Sequence, residues 1–345
     1  RSTPLYSSAA SDVYKRQLIK WWKKLLVQAE GGNQLPMLFF KYNRSPVFIV
    51  TQREPGYPEY EVSWNYNHRK KQLLLRVKQT QDLKTTNIFK MPITLLIDNG
   101  KLKKHTIWVQ DKETVFDIPC NSRPKMVVFN TGMKVPCKLK MDKSVADLKY
   151  QLINSPNSLD RIWAAHELSK KKGRKIVEYI LLDAAKRDSF WGVRKEACSA
   201  YGKLKPKINP TDLSWLDNEK DNRVKRAFIG ILKNSVGDPT VSKFLQNIIR
   251  SDTSYYAIAD AFRVLTTIDS VSAKKHVDDL LNTESHNDVI RKAALFYFGH
   301  VKNRNNYNHL KELAEYGVFS WKSRPTVISE LGKYQKYSPK TIDYI

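Results

Sequence analysis

A phrase that recurs through the second half of the chain restricts the possible fold more than any other feature. Each copy opens with an aspartate and runs into small and apolar residues, and the copies open at Asp160, Asp188, Asp221, Asp252 and Asp288. Alignment of their apolar positions gives steps of 31, 33 and 33 residues between Val193, Val224, Ala257 and Ile290. Such a period is typical of stacked helical hairpins, because one hairpin cannot bury its apolar face alone. The second half is therefore predicted to be an α-solenoid.

The residue types within the phrase predict structural roles. The opening aspartate suits the N-cap of a helix, where its carboxylate accepts hydrogen bonds from free backbone N–H groups. Arg194 and Arg291 are expected to reach an acidic residue or a carbonyl of the adjacent repeat. Trp191, Tyr255 and Tyr256 are expected to pack between repeats, with a ligand cage as the alternative. The repeats thus indicate a scaffold, and chemistry has to be sought elsewhere in the chain.

Ahead of the repeats, apolar residues alternate with polar ones at every second position. Alternation over residues 60–66 and 73–77, on either side of the polar turn 67–71, predicts a β-hairpin. Further short runs with turn signals between them cover residues 93–97, 104–109, 115–118, 125–129 and 134–139. Seven short strands with this spacing predict a small antiparallel β-sandwich.

The expected fold class is α+β multidomain, a small antiparallel β-sandwich followed by an α-helical solenoid. Residues 1–17 have no helical or strand period and resemble a peptide translated from sequencing-adapter DNA, so they are expected to be a non-native junction. Residues 18–55, with a helix over 18–31, are expected to be a remnant of an upstream domain or a linker from it. The sandwich is expected over residues 56–140 and the solenoid over residues 141–345.

The chain is strongly basic, with a formal net charge of +26. Such an excess permits nucleic acid, an anionic membrane surface or an acidic protein as partner. The lysines and arginines are dispersed and are not interleaved with aromatic residues, which favours a solvated basic surface over a nucleic-acid groove. No run of about eighteen apolar residues occurs, so no transmembrane segment is expected.

The search for catalytic motifs finds one near match. A zinc hydrolase places two histidines one helical turn apart with a glutamate beside the first, and His166-Glu167 begins such a pattern. Lys170 stands at the second histidine's place, so an amphipathic helix explains the pair better. Cys198 is expected in the helical core, and a disulfide between Cys120 and Cys137 is an open alternative. No catalytic, cofactor-binding or metal-binding residue is assigned.

Two segments resemble known families. Residues 188–197 resemble a HEAT repeat. Residues 55–66 and 71–81, with a Gly-Tyr-Pro phrase leading to a Gln-x-Gln strand end, resemble the β-sandwich that follows the catalytic domain in zinc aminopeptidases of the aminopeptidase N family. Segments 92–97 and 116–119 fit the later strands of that sandwich, and residues 143–161 fit the entry into its helical domain.

The aminopeptidase resemblance implies a role within a larger enzyme. The parent reaction would be removal of N-terminal residues from peptides, with zinc as the cofactor. The family's GxMEN and HExxH motifs belong upstream, so this chain is expected to contain no zinc and no catalytic residue. It would supply the sandwich and the helical domain that caps the active site, with the missing catalytic domain as its partner in cis. The alternatives are a non-enzymatic HEAT scaffold that binds protein and a basic HEAT module that binds nucleic acid.

Overall fold

A computed structural model describes residues 37–40, 48–51, 56–84, 86–171 and 175–334. The predicted junction over residues 1–17 and the predicted helix over 18–31 lie outside these residues. The chain divides into two compact units, the first ending at Lys143 and the second beginning at Ser144. Strands occupy the first unit and helices the second, which confirms the α+β class.

The first unit is built of β-strands. They are β1 (Met37–Phe40), β2 (Phe48–Thr51), β3 (Glu59–Asn67), β4 (Gln72–Gln79), β5 (Met91–Asp98), β6 (Leu102–Val109), β7 (Glu113–Pro119), β8 (Met126–Val128) and β9 (Lys138–Met141). Strands β1 and β2 form an antiparallel pair. The others form a four-stranded sheet in the order β7-β4-β3-β9 and a three-stranded sheet in the order β6-β5-β8.

The predicted hairpin is formed by β3 and β4, whose last register pair is Asn67 opposite Gln72. The Asn67 side-chain carbonyl closes the turn by accepting hydrogen bonds from the backbone N–H groups of Arg69 and Lys70. Strand β4 buries Leu73, Leu75 and Val77, because alternate side chains point to the same face of a sheet. The alternation in the sequence therefore located this hairpin correctly.

The last strand departs from the predicted antiparallel pattern. Strand β9 lies parallel to β3, and Lys138 and Lys140 form ion pairs of 3.1 and 2.7 Å with Glu59 and Glu61. It begins at Lys138 and not near 134, since the Asn130 side chain both donates to the Val135 carbonyl and accepts from its N–H. That pair of hydrogen bonds holds the preceding segment in a turn.

The Gln-x-Gln phrase at the end of β4 forms a buried hydrogen-bond network. The Gln79 amide donates to the carbonyls of Phe89 and Asp111 and accepts from the Phe89 N–H. Gln81 donates to the Gln79 side chain and to the Asn87 carbonyl. Two loops are thereby attached to the strand end by amide side chains, which can both donate and accept.

The second unit is helical. Its helices are α1 (Val145–Asn154), α2 (Ser158–Leu168), α3 (Lys175–Arg187), α4 (Trp191–Lys203), α5 (Pro210–Asp217), α6 (Asn222–Ile229), α7 (Pro239–Ser251), α8 (Tyr255–Ile268), α9 (Ser270–Lys274), α10 (Val277–Asn282), α11 (Val289–His300), α12 (Arg304–Ala314) and α13 (Arg324–Gly332). Helices α2, α4, α6, α8, α11 and α13 form a row in which each packs on the next. Helices α3, α7, α10 and α12 pack on members of that row, and one apolar core runs through it.

The Gln79 network predicts a specific stability loss. Gln79→Leu would remove the hydrogen bonds that the buried Gln79 side chain makes with part-buried backbone groups of Phe89 and Asp111, at a cost of about 0.5–1.5 kcal/mol for each bond. We expect the free energy of unfolding to fall by about 2–4 kcal/mol, measured by urea denaturation with tryptophan fluorescence. Lys78→Gln, at the exposed neighbouring position, should change it by less than about 0.5 kcal/mol. Equal effects of the two substitutions would contradict the network's role.

Candidate functional site

The aligned apolar residues of the recurring phrase lie at equivalent places in the helix row. Val193, Val224, Ala257 and Ile290 belong to α4, α6, α8 and α11, and all are buried. Because these helices are successive neighbours in the row, the period of the sequence corresponds to the spacing of its members. The junctions between neighbours are therefore the recurring structural site of this chain.

Two junctions are closed by arginines that bind carboxylates with two hydrogen bonds. The Arg161 guanidinium of α2 donates to both Asp188 oxygens at 2.8 and 2.9 Å and to the Ser155 carbonyl at 3.0 Å. The Arg194 guanidinium of α4 donates to both Glu219 oxygens at 3.0 Å and to the Asp188 carbonyl at 3.0 Å. The predicted acidic partner of Arg194 is thus confirmed. Such forked pairs are directional, so they fix how each helix sits on the next.

Later junctions use other donors at the same location. Lys225 of α6 donates to Asp252 at 2.7 Å. Asp288 accepts from the hydroxyls of Ser320 and Ser323, both at 2.8 Å. Burial opposes ionisation of Asp288, but these hydrogen bonds and the nearby Arg291 outweigh it and hold its pKa below the ordinary value.

Arg291 and Arg324 bind a backbone carbonyl of the preceding helix. The Nε group of Arg291 donates to the Leu281 carbonyl at 2.8 Å, and that of Arg324 donates to the Ala314 carbonyl at 3.4 Å. The carbonyl partner predicted for Arg291 is therefore confirmed. Both arginines lie near the start of a helix in the row, so the contact recurs with the repeat.

The N-cap role predicted for the opening aspartates holds at Asp221 alone among the aligned copies. Its carboxylate accepts from the Arg223 N–H at 2.9 Å at the start of α6. The prediction is wrong for Asp160, which lies inside α2, and for Asp188 and Asp252, because Phe190 and Ser254 occupy the N-caps of α4 and α8. Asp288 occupies the N-cap of α11, but its carboxylate makes no cap hydrogen bond. Asn157 and Ser254 supply the cap hydrogen bonds of α2 and α8. The carboxylates of Asp188 and Asp252 accept both from a neighbouring cation and from the backbone N–H of Phe190 or Ser254, so each serves the junction and the entry to the helix.

The aromatic residues of the phrase also lie at the junctions. Trp191 packs against the apolar core, and the Arg223 guanidinium lies 3.3 Å from the centre of its ring. The Arg226 guanidinium lies 4.8 Å from the ring centre of Tyr256, so a cation–π contact joins α6 and α8. Packing between repeats is thus confirmed for Trp191. Tyr255 remains 45% exposed, so it is not enclosed by the repeats.

His166 contacts a carboxylate of the neighbouring helix, and Glu167 forms an ion pair with a lysine three residues on. The Nδ1 atom of His166 lies 3.2 Å from a Glu196 oxygen of α4, and Glu167 pairs with Lys170 at 2.6 Å. Over the part of the chain that the structure describes, no cluster of three or more His, Cys, Asp or Glu side chains is arranged to hold a metal ion. The HExxH-like sequence pattern is therefore explained by side-chain contacts along one helix and with its neighbour.

The cysteines are unpaired. The Cys120 thiol contacts Asn99 and Ser122, and Cys137 contacts Asn130, so the alternative of a disulfide between them is wrong. Cys198 is buried in α4, as predicted, and burial raises the pKa of its thiol. A thiol in that state is a packing group and a poor nucleophile.

None of the helices in the described ranges is both long and apolar enough to cross a bilayer.

Comparisons with known proteins point in two directions. The sequence model of a family described as the TAF2 Ig-like domain matches residues 55–184, from the approach to β3 into α3. The crystal structure of Legionella pneumophila aminopeptidase A in complex with aspartic acid has a similar fold, with a TM-score of 0.56 and 16% sequence identity. The likeness covers 81% of this chain and 40% of that chain. No curated protein sequence matches.

The aminopeptidase resemblance drawn from the sequence is confirmed at the level of the fold. At 16% identity the likeness shows the fold alone, and the chain spans 40% of the length of that aminopeptidase. Sequence reasoning missed Glu219, Ser320 and Ser323 as partners at the helix junctions. The sequence indicates these partners only by their position, since each lies one to four residues before the first residue of a helix in the row.

The Arg194 junction predicts a large effect from a single substitution. Arg194→Gln would leave the buried Glu219 carboxylate without its forked partner, and the side chains are only 17% and 5% exposed. We expect the free energy of unfolding to fall by about 2–4 kcal/mol, measured by urea denaturation with circular dichroism at 222 nm. Arg187→Gln, which removes an exposed pair with Asp183, is the matched control and should cost less than about 0.5 kcal/mol. A loss below about 1 kcal/mol at Arg194 would contradict the junction's role.

The buried His276 is expected to make the free energy of unfolding depend on pH. Burial lowers its pKa, Arg250 adds to the effect, and Asp279 opposes it. In the folded state His276 therefore takes up a proton at a lower pH than in the unfolded chain, where a histidine has a pKa of about 6.5. The His276 contribution is full above that pH and is lost as the pH falls further. The urea midpoint of the unsubstituted chain should fall as the pH is lowered from about 7.5 to about 5.5. In His276→Gln that fall should be smaller, because the residue no longer takes up a proton. The exposed His286→Gln should leave it unchanged, and an unaltered slope for both would contradict the assignment.

Proposed function

We propose that this chain is the sandwich and HEAT-type helical part of a TAF2-type protein, in which it acts as a non-enzymatic scaffold that holds partner proteins. The match of residues 55–184 to the TAF2 Ig-like domain family carries this proposal. The match is one of sequence, and it runs from the sandwich into the helices. A fold shared with an aminopeptidase is weaker support for function, because one fold serves many activities.

The helix row supports a scaffold role physically. Forked arginine pairs at Asp188 and Glu219, and hydroxyl contacts at Asp288, link each helix to a neighbour. Arrays of this kind present a long, fixed surface whose stability is distributed over many local junctions. The net charge of +26 on the whole chain favours acidic partners.

A second candidate is the cap of a zinc aminopeptidase, which the Legionella structure favours. In that case the chain would supply the sandwich and the helical domain that limits access to the active site. The catalytic domain would lie in cis, and its zinc would polarise the scissile carbonyl of a peptide. The residues of this chain would then determine which peptides can enter the active site, and they would take no part in cleaving the peptide bond.

The two candidates differ in what the whole gene product does. We would purify that product from its own cells at natural abundance, then measure its zinc content, its hydrolysis of aminoacyl substrates and its native mass. A scaffold should sediment in a stable multiprotein assembly and release no amino acid. One tightly held zinc per chain together with turnover would sink the scaffold proposal and support the cap. A commercial aminopeptidase added to the same buffer verifies that the assay detects activity.

A further inference from the structure

A cleft with a basic rim lies in the helix row, where α4 and α6 end. It has a volume of about 600 Å³, and its lining includes Lys205 and Lys207 after α4 and Lys233 at the end of the 3-10 turn that follows α6. Ile208 and Val236 contribute apolar surface to the same cleft. Three cations and two apolar side chains are therefore presented together by segments that are distant in sequence.

The cleft has a net positive charge, because three lysines and one aspartate line it. Asp238 also lines the cleft, but its carboxylate caps α7 by accepting from the N–H groups of Thr240 and Val241 at 2.9 and 3.3 Å. Within the described ranges, the ammonium groups of the three lysines make no ion pair. All three side chains are exposed, so their charge is available to a partner.

The backbone at Lys205 has a conformation in which a side chain costs stability. Its φ angle is 53°, in the left-handed region, directly after the C-cap of α4. Glycine is favoured at this position because any side chain strains the backbone there. A lysine at a glycine position sacrifices stability, and such departures concentrate at functional positions.

The mixed character of the lining distinguishes among anionic partners. Ile208 is buried in the wall of the cleft, whereas Val236 is 71% exposed beside it. A nucleic-acid backbone offers phosphates and sugars but no apolar side chain, and the residues that line this cleft include no aromatic ring on which bases could stack. A peptide that carries carboxylates and an aliphatic side chain matches both halves of the lining.

A second cleft in the helical unit also contains lysines. It has a volume of about 430 Å³ and is lined by Lys203, together with His166, Ser169 and Lys170 of the α2 end. Lys203 and Lys205 lie on either side of the α4 C-cap, and the two clefts share no lining residue. Carboxylates already pair with His166 and Lys170, which leaves the Lys205 cleft as the stronger site for an anion.

We propose that the Lys205 cleft binds an acidic segment of a partner protein. Carboxylates of the segment pair with Lys205, Lys207 and Lys233, and one aliphatic side chain lies between Ile208 and Val236. The inference rests on the proposed scaffold function for the kind of partner. Binding itself is a property of this chain and is measurable on it alone.

The test uses the 345-residue chain and a fluorescein-labelled peptide of repeated Asp-Glu-Leu units, with binding followed by fluorescence anisotropy. We expect the triple variant Lys205→Gly, Lys207→Gln, Lys233→Gln to raise Kd at least about tenfold. Lys205→Gly alone should weaken binding while the melting temperature stays the same or rises, since glycine relieves the backbone. A variant that binds less well yet is no less stable cannot owe its defect to misfolding.

Matched controls decide the remaining outcomes. Lys195→Gln removes an exposed lysine of α4, the helix that precedes Lys205. It lies about 12 Å along that helix from its last residue, Lys203, and the substitution should leave Kd unchanged. A peptide of Asp-Glu-Gln units should bind more weakly than the leucine peptide. Equal binding of the two peptides, an unchanged Kd in the triple variant, or tighter binding of a short DNA duplex that the same variant abolishes would each overturn the proposal. A zinc-bearing, active gene product would reject the scaffold but not the measured cleft, whereas failed peptide binding would reject only the cleft.

Discussion

Apolar packing joins the helices of the second unit, but it does not by itself determine how they are aligned. Val193 and Val224 are fully buried on successive helices, and burial of apolar area has no preferred direction. The forked contacts of Arg161 with Asp188 and of Arg194 with Glu219 add the missing direction, because a guanidinium and a carboxylate meet in one plane. The surface that the row presents depends on that alignment.

Much of this architecture could be predicted from the sequence, because periodicity survives in a single chain. The 31- to 33-residue steps located successive helices, and alternation located the β3–β4 hairpin. Alternation contains no information about strand direction, so the parallel pairing of β9 was missed. The aspartates show a second limit. A carboxylate before a helix can cap that helix or bind a neighbour, and only the structure decides between these, as Asp221 and Asp188 illustrate.

The candidate cleft was hidden for a related reason. Lys205 and Lys233 lie far apart in sequence, and the stacking of α4 on α6 brings the segments that follow them together. The left-handed backbone of Lys205 has no signature in the sequence, since a lysine after a helix is ordinary. His166 and Glu167 show the opposite case, in which a familiar sequence pattern corresponds to a contact with Glu196 of the next helix and an ion pair with Lys170. A sequence motif therefore does not by itself establish a functional site.

The parallel pairing of β3 and β9 has a mechanical consequence. The chain enters the four-stranded sheet at Glu59 and leaves it at Met141, the far end of the neighbouring strand. Tension applied through the segments on either side would pull these strands past each other along their length, so every backbone bond between them is loaded at once. The pairs Glu59–Lys138 and Glu61–Lys140 add to that resistance. The pairing of β3 with β9 is thus loaded in shear, and not peeled apart bond by bond, when the chain is pulled from both sides.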